Sequence, residues 1–352
     1  MNTAVLDSPV APAPAAERRA VLHRLLDEAL AYGPEHGQGM ASHLPMALAA
    51  LDGLGAHEAQ MRSFFAHYAR RLERVATTRG RARPVDDWQR LRGRVEGYEA
   101  LRATFARALA REGVDAVLRD AVPALVDGVA GGAFHGPIRV AHAVESDHDA
   151  ELAAALAYWA ARWEPLPAPG AAVVRIAGST AWLDAIDARR VAFDAGWRAS
   201  APLISARMQQ AALTPSYIEL AGALAVDGVT PAALLRDLAQ ACAARYAATG
   251  NFTVLHMATA SRALRVLARW LPTGAGALAP LLHAVAAANL AARPAPLQRD
   301  TLEADVGWDE VRRRACASDD DHVIKLVHAA AMQQAESPDA VWLEAARTAV
   351  RS

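Results

Sequence analysis

An all-α protein, folded as a single large helical domain, is predicted by three observations. Hydrophobic residues make up 53% of the 352 positions while aromatics make up only 6%, and alanine is abundant. Alanine is the best helix former and lets packed helices approach closely. Apolar residues recur at helical spacing along most of the chain. No strand-rich stretch with turn punctuation is convincing, Ala172–Ile176 coming nearest.

Taken in order, residues 1–17 form a Pro/Ala-rich lead expected to be a disordered tail, and residues 18–352 the helical domain. Arg18–Tyr32 carries Leu22, Leu25, Leu26, Ala29 and Leu30 at helical spacing. Gly33–Gly39 breaks it, and Ser42 is placed to cap a helix beginning in His43-Leu44-Pro45, where proline is tolerated in the first turn. Helical patterns return over Glu58–Ala76, around Tyr98–Glu112 and from Val114 into Asp127. The Gly128–Gly132 cluster interrupts, and a further helical stretch runs to Trp163. Residues 164–202, with Pro165, Pro167, Pro169 and Gly170, read as the clearest break: a lid, an excursion over a cleft or a connection. Helices are expected again from about Ser216 to Leu271, over Leu278–Ala292, and in Glu303–Cys316, Asp319–Ala335 and Pro338–Val350.

The bulk numbers narrow the function classes. Thirty-seven basic residues balance 38 acidic ones to a net charge of −1, with no basic block, so neither nucleic acid nor a membrane surface is an expected partner. Cys242 and Cys316 lack metal-site spacing and suit a reducing, cytoplasmic setting. No signal peptide is evident, and Leu278–Ala292 is too short and too interrupted for a membrane span. No GxGxxG follows a strand and no Walker-type loop is present, which leaves dinucleotide and P-loop folds unsupported.

Candidate chemistry lies in the histidines and in one lysine. Lys325 is the only lysine among 37 Lys+Arg. An amine can lose its proton when buried, act as a nucleophile or add carbon dioxide to give a carbamate, whereas a guanidinium stays charged. Of 12 histidines, His43, His135, His256 and His322 each stand in apolar sequence near a helix start beside a sharp breaker. Imidazoles brought from several helices into a core can hold a metal. His322 and Lys325 are spaced i, i+3 and share a helix face. His142 and His328 fall where a second layer could be reached, while His23, His36, His57, His67 and His148 read as surface or loop residues. Spacing alone leaves two readings open, a shared site or separately hydrogen-bonded core histidines, because no compact signature such as HExxH occurs.

Four segments then resemble one family. Tyr32-Gly33-Pro34-Glu35 with His43-Leu44-Pro45-Met46-Ala47-Leu48 resembles the "GPE…HLPMAL" segment of questin oxidase-like proteins. Phe134-His135-Gly136-Pro137-Ile138-Arg139 is similar to their "FH-x-x-IR", His256 to Leu264 to their "H-x-VT-x-x-x-AL", and Asp321-His322-Val323-Ile324-Lys325 to their "DxHxIK". The resemblance implies helices packed around a central His-lined site and an oxidoreductase that cleaves or oxygenates an aromatic polyketide-like substrate with O2. It further implies non-haem Fe(II) held by His43, His135, His256 and His322 with a CO2-derived carbamate on Lys325, His322 and Lys325 being the expected catalytic pair. A carbamate would replace the carboxylate of the usual facial triad, with Glu145, Asp147, Asp321 and His142 as candidates to support the ligands. The expected partners are a small aromatic molecule, O2 and, as a homodimer, a second copy of the chain. Arg262 and Met257-Ala258-Thr259 depart from the family pattern, which bears on substrate choice. Alternative readings are a metal-free, NADPH-dependent Baeyer–Villiger-type oxygenase, a non-catalytic helical ligand-binding protein and a divalent-metal hydrolase.

Overall fold

The computed structural model describes residues 15–75, 82–194, 196–297 and 306–351. Among the described residues there are sixteen α-helices and one two-stranded sheet, the all-α architecture that composition predicts. The helices are α1 (Ala15–Ala29), α2 (Leu44–Leu54), α3 (Glu58–Ala69), α4 (Tyr98–Glu112), α5 (Val114–Leu125), α6 (His135–Ser146), α7 (Asp149–Ala161) and α8 (Ser179–Phe193). They continue as α9 (Ile204–Ala211), α10 (Pro215–Leu220), α11 (Pro231–Thr249), α12 (Phe252–Leu267), α13 (Ala279–Ala292), α14 (Trp308–Cys316), α15 (Asp321–Glu336) and α16 (Ala340–Arg351). Strands β1 (Glu35–His36) and β2 (Met40–Ala41) pair antiparallel, Glu35 opposite Ala41 and His36 opposite Met40.

Four helices form the centre. Helix α2 packs on α6, α6 on α12, α12 on α15 and α15 back on α2, closing a ring. The sequence of α2 explains its place: Leu44 through Asp52 are all buried, and a helix apolar on every side belongs inside. Helices α1 and α3 cover α2 in a small core of their own, into which α15 sends Ile324. On the other flank α7 lies against α6 and α4, and the buried Arg139–Glu151 ion pair (2.6 and 2.9 Å) fastens α6 to α7. Two parallel N–H···O bonds of this kind are the strong, orienting form of an ion pair, so the arginine of the Ile138-Arg139 segment serves the scaffold.

Several expectations are corrected. Helix α1 begins at Ala15, ahead of Arg18 and inside the stretch expected as tail; residues 1–14 lie outside the described residues. The N-cap of α2 is His43 and not Ser42, and no side chain caps it. The stretch expected as one helix to Trp163 is two, because Asp147 takes a left-handed conformation (φ 51°) between α6 and α7. The Pro-rich interval 164–202 contains a full helix, α8, whose Trp182, Leu183 and Ile186 are buried; Pro165, Pro167 and Pro169 precede it and Pro202 follows it. Ala172–Ile176 supplies only one isolated bridge, Ile176 with Leu224. The expected helix ends at Ala76 and Glu303 fall outside the described residues.

Candidate metal centre and cavity

Each of the four ring helices begins at the same place and carries its histidine in or beside its first turn. His43 is the N-cap of α2, His135 the first residue of α6, His322 the second of α15, and His256 follows Phe252, the first of α12, by four residues. Local sequence explains the entries. Asn251 and Asp320 cap α12 and α15, accepting from the backbone at Thr253 and Val254 and at His322 and Val323. Helix α6 is entered by a harder turn: Gly132, Ala133 and Phe134 all have φ near 55–69°. Two of those three carry side chains that this region disfavours. The chain is pressed there by α7, since a Cβ on Gly131 would lie 1.8 Å from the Arg162 carbonyl oxygen and one on Gly136 2.5 Å from the Trp159 ring.

The histidines converge. Ring centroids are 4.4 Å apart for His43 and His135, 4.7 Å for His43 and His322, 5.0 Å for His135 and His256, and 5.3 Å for His256 and His322. One ligand atom from each of His43, His135 and His322 lies within 4.8 Å of the others. In every ring Nδ1 is engaged. His135 Nδ1 meets the Gly132 carbonyl (2.5 Å) and His256 Nδ1 the Phe252 carbonyl (2.8 Å). His43 Nδ1 meets Oδ2 of Asp321, and His322 Nδ1 lies 3.2 Å from that same oxygen. Nε2 of His135 and of His322 is buried without a partner. A ring nitrogen tied to a carbonyl or carboxylate, with the other left over, is how metal-binding imidazoles are held.

Electrostatics favour the neutral ring. Burial first, then the nearby Lys325 ammonium, lowers His43 to about 3 against the opposing pull of Asp321. His135 and His256 are likewise held well below the ordinary value, chiefly by burial. Asp321, although buried, is kept ionised by His43 and Lys325. Lys325, 3% exposed, sits 3.7 Å from Asp321 Oδ2, and burial pushes its amine down to about 8. His43, His135 and His322 stand at the N-terminal ends of α2, α6 and α15, and the partial positive charge of a helix N-terminus favours an anion.

A second layer lies deeper between the same helices. His142 and His328 rings are 5.3 Å apart, and Glu145, beside His142 (3.8 Å), is ion-paired with the buried Arg262. Gly53 of α2 leaves room for this layer: a Cβ there would come 2.4 Å from His328 Nε2. His142, Glu145 and His328 also offer three close ligand atoms, but Arg262 already balances the one carboxylate. Lys325 follows His322 by three residues and precedes His328 by three on α15, between the two layers. Asp147, expected beside the site, is exposed at the end of α6.

A cavity of ≈ 270 Å³ opens above the upper layer, walled by His43, His135, His256, His322 and Asp321. Its outer wall holds Tyr68 and Arg71 from α3 and its C-terminal end, Arg207 from α9, Phe252, and the hairpin residues His36 and Met40. His36, read from sequence as a surface residue, is therefore part of the wall. His148, read likewise, has a 9% exposed side chain that accepts from Glu151 N and caps α7. Arg262 and Met257-Ala258-Thr259 do not line the cavity; Arg262 pairs with Glu145 in the deeper layer. Tyr68, Arg71 and Arg207 carry no local signal, since only the tertiary fold brings α3 and α9 to the histidines.

The sequence model of a family described as questin oxidase-like matches residues 40–330, a span that contains all five of the converging residues. No curated protein matches the chain.

Proposed function

This chain belongs to the questin oxidase-like family, and on that premise we propose that it is an oxidoreductase, a non-haem iron-dependent oxygenase of an aromatic, polyketide-like substrate. The supporting observation is the donor set: four imidazoles with Nδ1 engaged, gathered over the chain's only lysine, at the floor of one cavity. His43, His135, His256 and His322 would hold the metal, together with a carbamate on Lys325. Iron, when bound, supplies the dioxygen chemistry that amino-acid side chains lack.

The chain's own groups do the rest. Asp321 orients His43 by hydrogen bond, and His322 Nδ1 lies between Asp321 and Asp320, 3.2 and 3.5 Å away. Lys325, lowered to about 8, presents a share of neutral amine near neutral pH. Its nitrogen can attack the carbon of CO2, forming the N–C bond as one C–O π bond opens and one proton is lost, which creates a carbamate anion. Phe252, half exposed with its ring 4.5 Å from that of His322, offers an edge or face to an aromatic guest. Tyr68 accepts the His43 backbone N–H at 2.9 Å, and burial keeps its phenol protonated, able to donate into the cavity.

The deciding experiment is metal analysis by mass spectrometry on protein purified without chelator, wild type beside Lys325→Ala, with oxygen uptake followed on a polycyclic phenol. Near-stoichiometric iron, lost in the variant, and substrate-dependent uptake are expected. No metal in either protein after anaerobic ferrous reconstitution refutes the proposal.

A further inference from the structure

One cation on the cavity wall has no partner. Arg207 of α9 lines the cavity, and its Nε is buried with no hydrogen-bond acceptor. No carboxylate lies within ion-pair distance of its guanidinium among the described residues, unlike Arg71, which faces Asp321 Oδ1 at 4.0 Å and stacks over the Tyr68 ring at 5.2 Å. Arg207 as a whole is only partly buried, so the outer edge of its guanidinium stays open to a guest while no side chain occupies it. The one carboxylate on the same wall among the described residues, Asp321, is already shared by His43, His322 and Lys325.

We propose that Arg207 binds a carboxylate carried by the aromatic substrate. The inference rests on the reading of this cavity as an aromatic substrate site and narrows it to aromatic acids. A guanidinium presents two parallel N–H groups that match both oxygens of a carboxylate, a geometry that a single phenolate oxygen cannot use in full. Arg207 would orient the guest, while Phe252 and Met40 at the rim meet its apolar body.

The test is calorimetric binding to the protein as purified, so that its readout is independent of turnover. The probes are anthraquinone-2-carboxylate, its methyl ester and 2-hydroxyanthraquinone, against wild type, Arg207→Gln and Arg207→Lys. Wild type is expected to prefer the acid to the ester by about tenfold or more. Arg207→Gln should erase that preference by weakening the acid alone, with ester binding unchanged as the control for folding. Arg207→Lys should recover only part of it. Equal affinity for acid and ester in wild type, or a preference that survives Arg207→Gln, overturns the inference and leaves the aromatic-site reading standing. Tighter binding of the phenol than of the acid overturns the carboxylate assignment. Binding of none of the three defeats the aromatic-site reading, and the inference with it.

Discussion

Oδ2 of Asp321 rests against Nδ1 of His43, a residue 278 positions earlier in the chain. The same oxygen lies 3.2 Å from His322 Nδ1 and 3.7 Å from Lys325 Nζ. One buried carboxylate thus orients His43 and faces a second imidazole and the amine. Replacing it with an amide removes the charge and keeps the shape. Asp321→Asn is expected to weaken metal binding by about 10- to 100-fold with the fold retained, read by metal competition beside circular dichroism. Unaltered metal affinity would show that the carboxylate does not tune the rings.

Lys325→Arg keeps a cation but cannot form a carbamate. Metal content and oxygen uptake are expected to fall about tenfold or more, while the helical spectrum stays close to wild type. A variant that retains its activity rules the carbamate out.

Burial lowers the Lys325 amine to about 8 from an ordinary 10.5. The neutral fraction therefore grows as pH rises through about 8. Supplied with ¹³C-bicarbonate, the protein should show a carbamate carbon signal that strengthens between about pH 7 and about pH 9, and Lys325→Ala should show none.

Stability should fall on the acid side. His43 is held at about 3, and His135, His142, His256 and His328 well below 6.5, burial leading in each case. The unfolded chain takes up protons near 6.5 that the native core refuses. The stability these groups lend is thus present above about 6.5 and lost as pH falls toward their native values. Each one steepens the fall by about 1.4 kcal/mol per pH unit. Urea midpoints measured from about pH 7.5 to about pH 5 should drop steeply, and a flat profile contradicts the neutral buried rings.

Gly53→Ala ordinarily favours a helix interior by about 1 kcal/mol. Here the new methyl meets His328 Nε2 at 2.4 Å, and overpacking should reverse the sign, costing about 1–3 kcal/mol. Adding His328→Ala should relieve part of that loss. Additive losses in the double-mutant cycle would mean that the two residues do not press on each other.

Local pattern marked the four histidines as candidates but left a shared site and separate core histidines both open, and the family resemblance grouped them. His43, His135, His256 and His322 each stand where an apolar helix follows a breaker, and the fold brings those starts together. A lone lysine in an arginine background marked the fifth position. The walls were not legible. His36 sits in a two-residue strand, Arg71 just beyond α3 and Arg207 on a short helix, and nothing in their local periodicity reports that they face one cavity. Helix α8 was missed because the prolines ahead of it suggested loop throughout, and the break between α6 and α7 because Asp147 adopts a left-handed conformation without a glycine to announce it.

The ring of helices also sets an order of events. Its members are drawn from α2 near the start of the described chain and α15 near its end, with α6 and α12 between. Such distant pairings close late, after shorter-range contacts have formed. A nascent chain that has not yet reached α15 can gather His43, His135 and His256 but lacks Asp321, His322 and Lys325. The donor set is therefore completed only by the last of the four ring helices to be made.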